Sequence, residues 1–230
     1  MIIGINGKIG SGKDTVGSII QYLTSECGDI NNKSYRDYEL FLTMGGNSNW
    51  EIKKFAGKLK EIASLLTGIP IEKFEDQEFK KTMLGPEWNM TVRDFLQILG
   101  TEGLRNGLHE NVWVNALMCD YYVTPNKTTN EVFQEHFLTG SSSIHYELPN
   151  WIITDMRFPN ELNAVKAKYG ITIHVTRGYI LKGGLEDPKN SHSSETALDG
   201  HIFDYYIVND GTIEELIKKV RQILKEEGLI

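Results

Sequence analysis

Apolar positions along the chain fall into two rhythms. Short β-prone runs at Met1–Ile5, Ile52–Ala56, Trp151–Thr154, Ile171–Val175 and Tyr205–Val208 predict strands. Between them, apolar residues recur at three- and four-residue spacing, which predicts helices with one buried face. Val16, Ile19, Ile20 and Leu23 form the first such face, and Leu59, Ile62, Ala63, Leu65 and Leu66 the second, ended by Gly68 and Pro70. Val92, Phe95, Leu96 and Leu99 follow a Thr91-to-Asp94 capping box and run to Gly100. A helix over Asn111–Tyr122 carries Trp113, Ala116, Leu117 and Asp120 along one side, and another with Leu162, Val165 and Tyr169 stops at Gly170. The last helix opens on a Thr212/Glu215 capping box and has the plainest stripe: Ile213, Leu216, Ile217, Val220, Ile223 and Leu224.

Strands alternating with helices, and no internal repeat, predict a five-stranded parallel sheet with right-handed crossovers and helices on both faces, a three-layer α/β/α architecture. Three stretches stand outside the rhythm. Residues 28–49 hold Tyr35, Tyr38, Phe41 and a Gly45-Gly46 break but no decisive period. Residues 71–90 are charged and aromatic, with a Gly85-Pro86 turn, and read as a surface excursion; the polar residues around 123–150 read as a loop insertion. Ser191 to Glu195 offers several caps for a helix start.

At 230 residues, 40% of them hydrophobic, the chain suits one main domain with room for a small lid. Cys27 and Cys119 lie far apart and outside any Cys/His cluster, so neither a disulfide framework nor a zinc site is predicted, and a reducing cytoplasm fits. Met1 leads straight into an apolar strand with no basic region before it, and no apolar run approaches a membrane span, so the expectation is an unexported protein that does not enter membranes. A formal net charge of −7 disfavours broad binding to nucleic acid while leaving room for a local basic cleft that holds a small anion.

The chemistry begins at Gly7-Lys8-Ile9-Gly10-Ser11-Gly12-Lys13-Asp14-Thr15, where a buried strand meets a helix through a glycine-rich loop. Gly7 and Gly12 let the backbone wrap a polyphosphate, amide N–H groups and the helix N-terminus face it, and Lys13 reaches the terminal phosphates. Asp14 stands where such loops usually carry a magnesium-binding hydroxyl, and Thr15 supplies one next door. Asp155 ends a central strand, where open α/β sheets bind ligands, and reads either as a metal-holding acid, directly or through water, or as a helix cap; Arg157 and Glu161 follow it. Arg93 sits in the first turn of its helix, at the positive end of the dipole, which suggests an anion contact. Trp113 reads as core first and as a ring lining the cleft second.

Taken together, Ser11-Gly12-Lys13-Asp14-Thr15, Leu59-Lys60, Val92-Arg93 with Leu99-Gly100-Thr101, Trp113-Val114, Asp155-x-Arg157 with Glu161, His174-Val175-x-Arg177 and Asn209-Asp210-Gly211 give a chain that resembles the bacteriophage deoxynucleoside monophosphate kinases, within the P-loop nucleotide kinases. The resemblance spans nearly the whole chain. It implies a P-loop kinase fold in one domain, 1–230, with a lid near 178–195, acting in the cytoplasm, of the host if the gene is a phage's. The implied cosubstrate is ATP with Mg2+, held by Lys8, Gly10, Ser11, Gly12, Lys13, Asp14 and Thr15, with Arg177 and the Asn209-Asp210-Gly211 turn beside the adenine and Asp14, Thr15 and Asp155 serving the metal. The implied acceptor is a deoxynucleoside monophosphate held by Arg93, Trp113, Asp155, Arg157 and Glu161, with Lys13, Arg93, Asp155 and Arg157 catalytic. A homodimer is implied as well. The rivals are another small-molecule P-loop kinase, such as a dephospho-coenzyme A kinase, and a non-kinase ATP-dependent switch; Met156 stands where such a switch usually places a Glu.

Overall fold

Every residue of strand β1 (Ile2–Asn6) is buried, as expected of a strand with neighbours on both edges and helices over both faces. The structure, a computed structural model, describes residues 1–25, 33–46, 48–122, 124–125, 146–177 and 196–230. In it β1 pairs in parallel with β5 (Asn150–Met156), Ile3 opposite Ile152, and with β6 (Ile171–Thr176), Ile5 opposite Ile173. Strands β2 (Trp50–Lys53) and β7 (Tyr205–Val208) lie outside these, giving the order β2-β5-β1-β6-β7. The remaining pair, β3 (Thr124–Pro125) and β4 (Tyr146–Glu147), is antiparallel and separate, at the two ends of the expected insertion. The body of that insertion, the expected lid over 178–195 and the helix start at Ser191–Glu195 lie outside the described residues.

Alternation along the strands divides the core into two layers. Ile3, Ile5, Ile152 and Ile173 face α1 (Lys13–Thr24), α2 (Tyr35–Thr43) and α7 (Ile213–Glu226), meeting Val16, Ile20, Leu216 and Val220. Ile2, Trp151, Ile153 and Met156 face the other way, against α3 (Gly57–Thr67), α5 (Val112–Met118) and α6 (Pro159–Ala167). The three layers therefore stand as the periodicity predicts. The Thr212/Glu215 capping box of α7 is made in both directions. Among the described residues no helix is long and apolar enough to cross a membrane.

Several boundaries differ from the sequence reading, each for a local reason. Residues 28–49, left without a period, contain α2, which Ser34 and Asp37 cap reciprocally and whose Tyr38 and Phe41 pack on the Tyr22 ring at 5.5 and 5.6 Å. Lys33, buried just before α2, donates its ammonium to the carbonyls of Tyr22, Leu23 and Ser25 at the end of α1, which supplies the positive charge that a helix C-terminus favours. Strand β2 begins earlier than expected and stops at Lys53, because the amides of Phe55 and Ala56 turn away to a carboxylate. Helix α5 ends at Met118, and Tyr121 packs edge-on against Trp151 at 4.9 Å.

The largest refinement concerns 71–90, which runs over the surface as expected, most of its residues being exposed, but is anchored to the core at one point. Two 3-10 turns, Ile71–Glu75 and Phe79–Lys81, fold Phe74 to full burial, with Phe79 edge-on to it at 6.4 Å. Phe74 joins Ala63 of α3 and Val92 and Phe95 of α4 (Val92–Gln97) in a third apolar cluster, and Trp88 meets Phe95 at 4.9 Å. Backbone bonds Leu84 N–H to Met90 and Val92 N–H to Thr82 stitch the segment to the start of α4. Helix α4 opens on the Thr91/Asp94 box as expected, but the chain does not stop at Gly100; it continues as a π-helix over Ile98–Asn106.

Because Phe74 is fully enclosed, Phe74→Ala is expected to destabilise the protein by about 3–5 kcal/mol. Chemical denaturation checks this; a loss within about 0.5 kcal/mol, the surface range, would show that Phe74 does not anchor the segment.

Candidate active site

The glycine-rich loop ends on Gly12, whose φ of 95° only glycine adopts freely. A Cβ there would also stand 2.4 Å from Nδ2 of Asn209, which donates at 2.9 Å to the Ser11 carbonyl. Asn209 is fixed in turn by its own N–H to Thr176 at 2.7 Å. The turn after β7 thus braces the loop from behind. Lys13, at the first position of α1, is buried and its ammonium reaches the Lys8 carbonyl at 3.3 Å. The Ser11 hydroxyl is buried and has no hydrogen-bond partner among the described residues, the state of a cradle whose donor waits for an acceptor.

Helix α1 lies close on β5 because residue 17 is glycine: a Cβ there would meet Thr154 Cγ2 at 2.7 Å. The close approach brings Asp14 to the strand end, where its carboxylate accepts from Thr154 Oγ1 at 2.8 Å and stays about two-thirds exposed. Among the described residues no three His, Cys, Asp or Glu side chains converge as a complete metal site.

A cleft of about 650 Å³ opens in front of this loop. Gly10, Lys13, Asp14, Arg93, Trp113, Asp155, Arg157 and Glu161 all line it, from four separate stretches of sequence. Of the other expected residues, Lys8, Ser11 and Gly12 belong to the loop itself and Thr15 to the first turn of α1. Arg177 is exposed beyond β6, and Asp210 pairs with Lys219 at 3.3 Å in the turn that ends with Gly211 before α7. Trp113 satisfies both of its readings. It is buried among Phe55, Leu117 and Leu162, donates its indole N–H to the Gly100 carbonyl at 3.0 Å, and still forms part of the cleft wall.

At the cleft floor Asp155 caps neither α6 nor any later helix. Its two oxygens accept the amides of Phe55 and Ala56 at 2.8 and 3.0 Å, ahead of α3. Burial pushes its pKa up, against the pull of those amides and of Arg157 and Lys60. Glu161 caps α6 instead, accepting from the N–H groups of Arg157 at 2.7 Å and Phe158 at 3.1 Å. Its other oxygen holds Arg105 at 2.9 Å, and the Arg105 guanidinium lies 3.8 Å over the Phe158 ring. Burial first, then the charge of Asp155, lifts the Glu161 pKa from 4.5 to about 7, although Arg105 and the Arg157 amide oppose the rise.

Sequence reasoning missed Arg105, Lys54 and Lys80. Arg105 lies past Gly100, where the helical period was read as ending, and only the π-helix carries it back to the cleft. Lys54 follows β2 and stands 3.8 Å from Asp14 and 3.7 Å from Glu75. Lys80 comes from the segment taken for a surface excursion.

A folded-state pKa near 7 means that Glu161 holds its proton longer folded than unfolded, so its contribution to stability falls as pH rises from about 4.5 to about 7. Carbon-13 NMR titration of labelled glutamate is expected to find one carboxyl titrating near 7, moved down by Asp155→Asn and further up by Arg105→Met. A glutamate set titrating entirely near 4.5 would refute this account of the floor.

Residues 53–220 match the deoxynucleotide monophosphate kinase family, a span that begins after the glycine-rich loop and takes in the rest of the cleft. The chain is 28% identical over 139 residues to the deoxynucleotide monophosphate kinase of Enterobacteria phage T4, and 28% identical over 137 residues to that of Escherichia phage RB69. These alignments take 60% and 59% of this chain but 46% and 45% of the phage proteins, so the match spans less than half the length of those relatives. A protein of Acanthamoeba polyphaga mimivirus, provisionally given the same name, is 27% identical over 231 residues, 96% of this chain and 94% of its own. The family span holds most of the sheet and most of the cleft wall, and the chain belongs to the deoxynucleotide monophosphate kinase family.

Proposed function

We propose that the protein transfers the γ-phosphate of ATP to a deoxynucleoside monophosphate, giving a deoxynucleoside diphosphate and ADP. One observation carries the reading: the phosphate-cradling loop, with its buried Lys13 and unpartnered Ser11 hydroxyl, opens into the same cleft as Arg93, Arg157 and Trp113. A donor seat and an acceptor seat that share one enclosure are what phosphoryl transfer between two nucleotides requires.

The chemistry asks little of the protein beyond position and charge. The acceptor's phosphate oxygen is already a nucleophile, so no general base has to remove a proton from it. Asp155 and Glu161, whose carboxylates are taken up by backbone amides and Arg105, accordingly serve as supports and hold the α3 and α6 walls in place. Lys13, Arg93 and Arg157 neutralise the charge that gathers on the transferring group. Magnesium fits the oxygen donors present: Asp14, exposed and oriented by Thr154, with Thr15 beside it would hold the ion, and Asp155 would act through water because each of its oxygens already accepts an amide. The ion would add positive charge at the polyphosphate. Asn209 braces the loop on the side where the adenine would lie, next to exposed Arg177.

ADP release measured with ATP, magnesium and each of dAMP, dCMP, dGMP and dTMP is expected to show turnover with at least one. Lys13→Ala in a protein that still folds should abolish it, and Arg157→Ala should lower kcat/KM by roughly a thousandfold, about 4 kcal/mol. Phosphorylation of dephospho-coenzyme A alone, or tight ATP binding with no acceptor turned over, would overturn the proposal.

A further inference from the structure

The part of the cleft wall to which the 71–90 segment contributes Glu75, Gln77 and Lys80 carries an excess of positive charge. Lys54, Lys60, Lys80 and Arg93 all line it, against the carboxylate of Glu75. Their partners differ. Lys60 is hydrogen-bonded to Glu75, and Lys54 stands between Glu75 at 3.7 Å and Asp14 at 3.8 Å, so both are partly neutralised. Among the described residues Arg93 reaches only the amide oxygen of Gln77, at a long 3.4 Å. Lys80 has neither a salt bridge nor a side-chain hydrogen bond among the described residues. Burial, followed by the charges of Lys60, Arg93 and Lys54, holds its ammonium below the usual lysine range against the counter-pull of Glu75.

Its neighbour shows what an ordinary lysine does on the same turn. Lys81 is 61% exposed and pairs with Glu78 at 2.7 Å, out in solvent. Lys80 is half-buried and faces the cleft because Phe79 before it is anchored on fully buried Phe74 and the Lys80 amide is tied to the Asp76 carbonyl. The fold therefore directs a desolvated, unpaired cation towards other cations. Such an arrangement is unfavourable when empty and becomes favourable when a multiply charged anion enters. Lys54, standing between Asp14 and Glu75, links this group to the helix start that follows the glycine-rich loop.

We infer that Lys80 is a substrate-binding residue, and that with Arg93 it seats the phosphate monoester of the acceptor nucleotide in the cleft it shares with Lys13, so that an oxygen of that phosphate can face the transferring group. The inference rests on the kinase reading above and adds to it the residue that holds the acceptor's phosphate. Glu75 keeps Lys60 and Lys54 engaged, so Lys80 is the lysine of this wall left for the incoming anion.

The test is Lys80→Gln beside Lys80→Arg, assayed with whichever deoxynucleotide the unsubstituted protein phosphorylates best. Loss of the ammonium should raise the KM for that deoxynucleotide about tenfold to a hundredfold, leave the KM for ATP and the Tm unchanged, and be largely recovered by Lys80→Arg. Inhibition by the matching deoxynucleoside, which lacks the phosphate, should be the same for all three proteins. An unchanged deoxynucleotide KM, a shift in ATP instead, or equal weakening of nucleotide and nucleoside would overturn the inference while the kinase reading stands. Absence of turnover in the unsubstituted protein would overturn that reading and this one together.

Discussion

Asp155 ties the architecture to the cleft. A half-buried carboxylate at the end of a central strand is unfavourable unless its oxygens are engaged, and here each accepts a backbone amide of Phe55 or Ala56. Hydrogen bonds to a charged group contribute about 1.5–3 kcal/mol each, enough to decide where a loop goes. They end β2 at Lys53, turn the chain into α3, and so set the positions of Lys54, Leu59 and Lys60 along the wall. The same charge acts on Glu161, which is itself held by Arg105 and by the start of α6. One carboxylate thus couples the sheet, two helices and the acid–base state of the cleft floor.

The electrostatics of the molecule are divided by location. The chain as a whole carries a net charge of −7, yet the cleft gathers Lys13, Lys54, Lys60, Lys80, Arg93, Arg105 and Arg157. A recessed positive wall with partly desolvated cations draws a small anion even where the chain as a whole is negative, because screening acts more strongly outside than within.

The sheet and the two layers over it could be read directly from the sequence, because period 2 and period 3.6 report on burial and each strand and helix buries a face against the core. The loop was legible for a related reason: glycine spacing is a backbone requirement, and Gly12 meets it with a positive φ. What escaped was held by single long-range contacts. The 71–90 segment has no period because its order comes from Phe74 inserted between α3 and α4, and a lone aromatic among charges looks like any exposed one. Arg105 was hidden by the π-helix, which changes the spacing just where Gly100 suggested an end. Trp113 shows that core and site need not be alternatives, since one edge of a buried ring can be a wall.

The strand order also has a consequence for how the chain is made. Strand β1, buried throughout and apolar up to Asn6, finds its partners only at residues 150–156 and 171–176. On a ribosome adding about 5–20 residues per second, the central strand waits roughly ten seconds or longer for either neighbour to be synthesised. During that interval Ile2, Ile3 and Ile5 have no ladder to join, and the amphipathic α1 next to them, with Val16, Ile19 and Ile20, is the cover available to them. The nascent chain is therefore most exposed to chaperones, and to self-association, through the segment that in the finished protein is the most deeply enclosed.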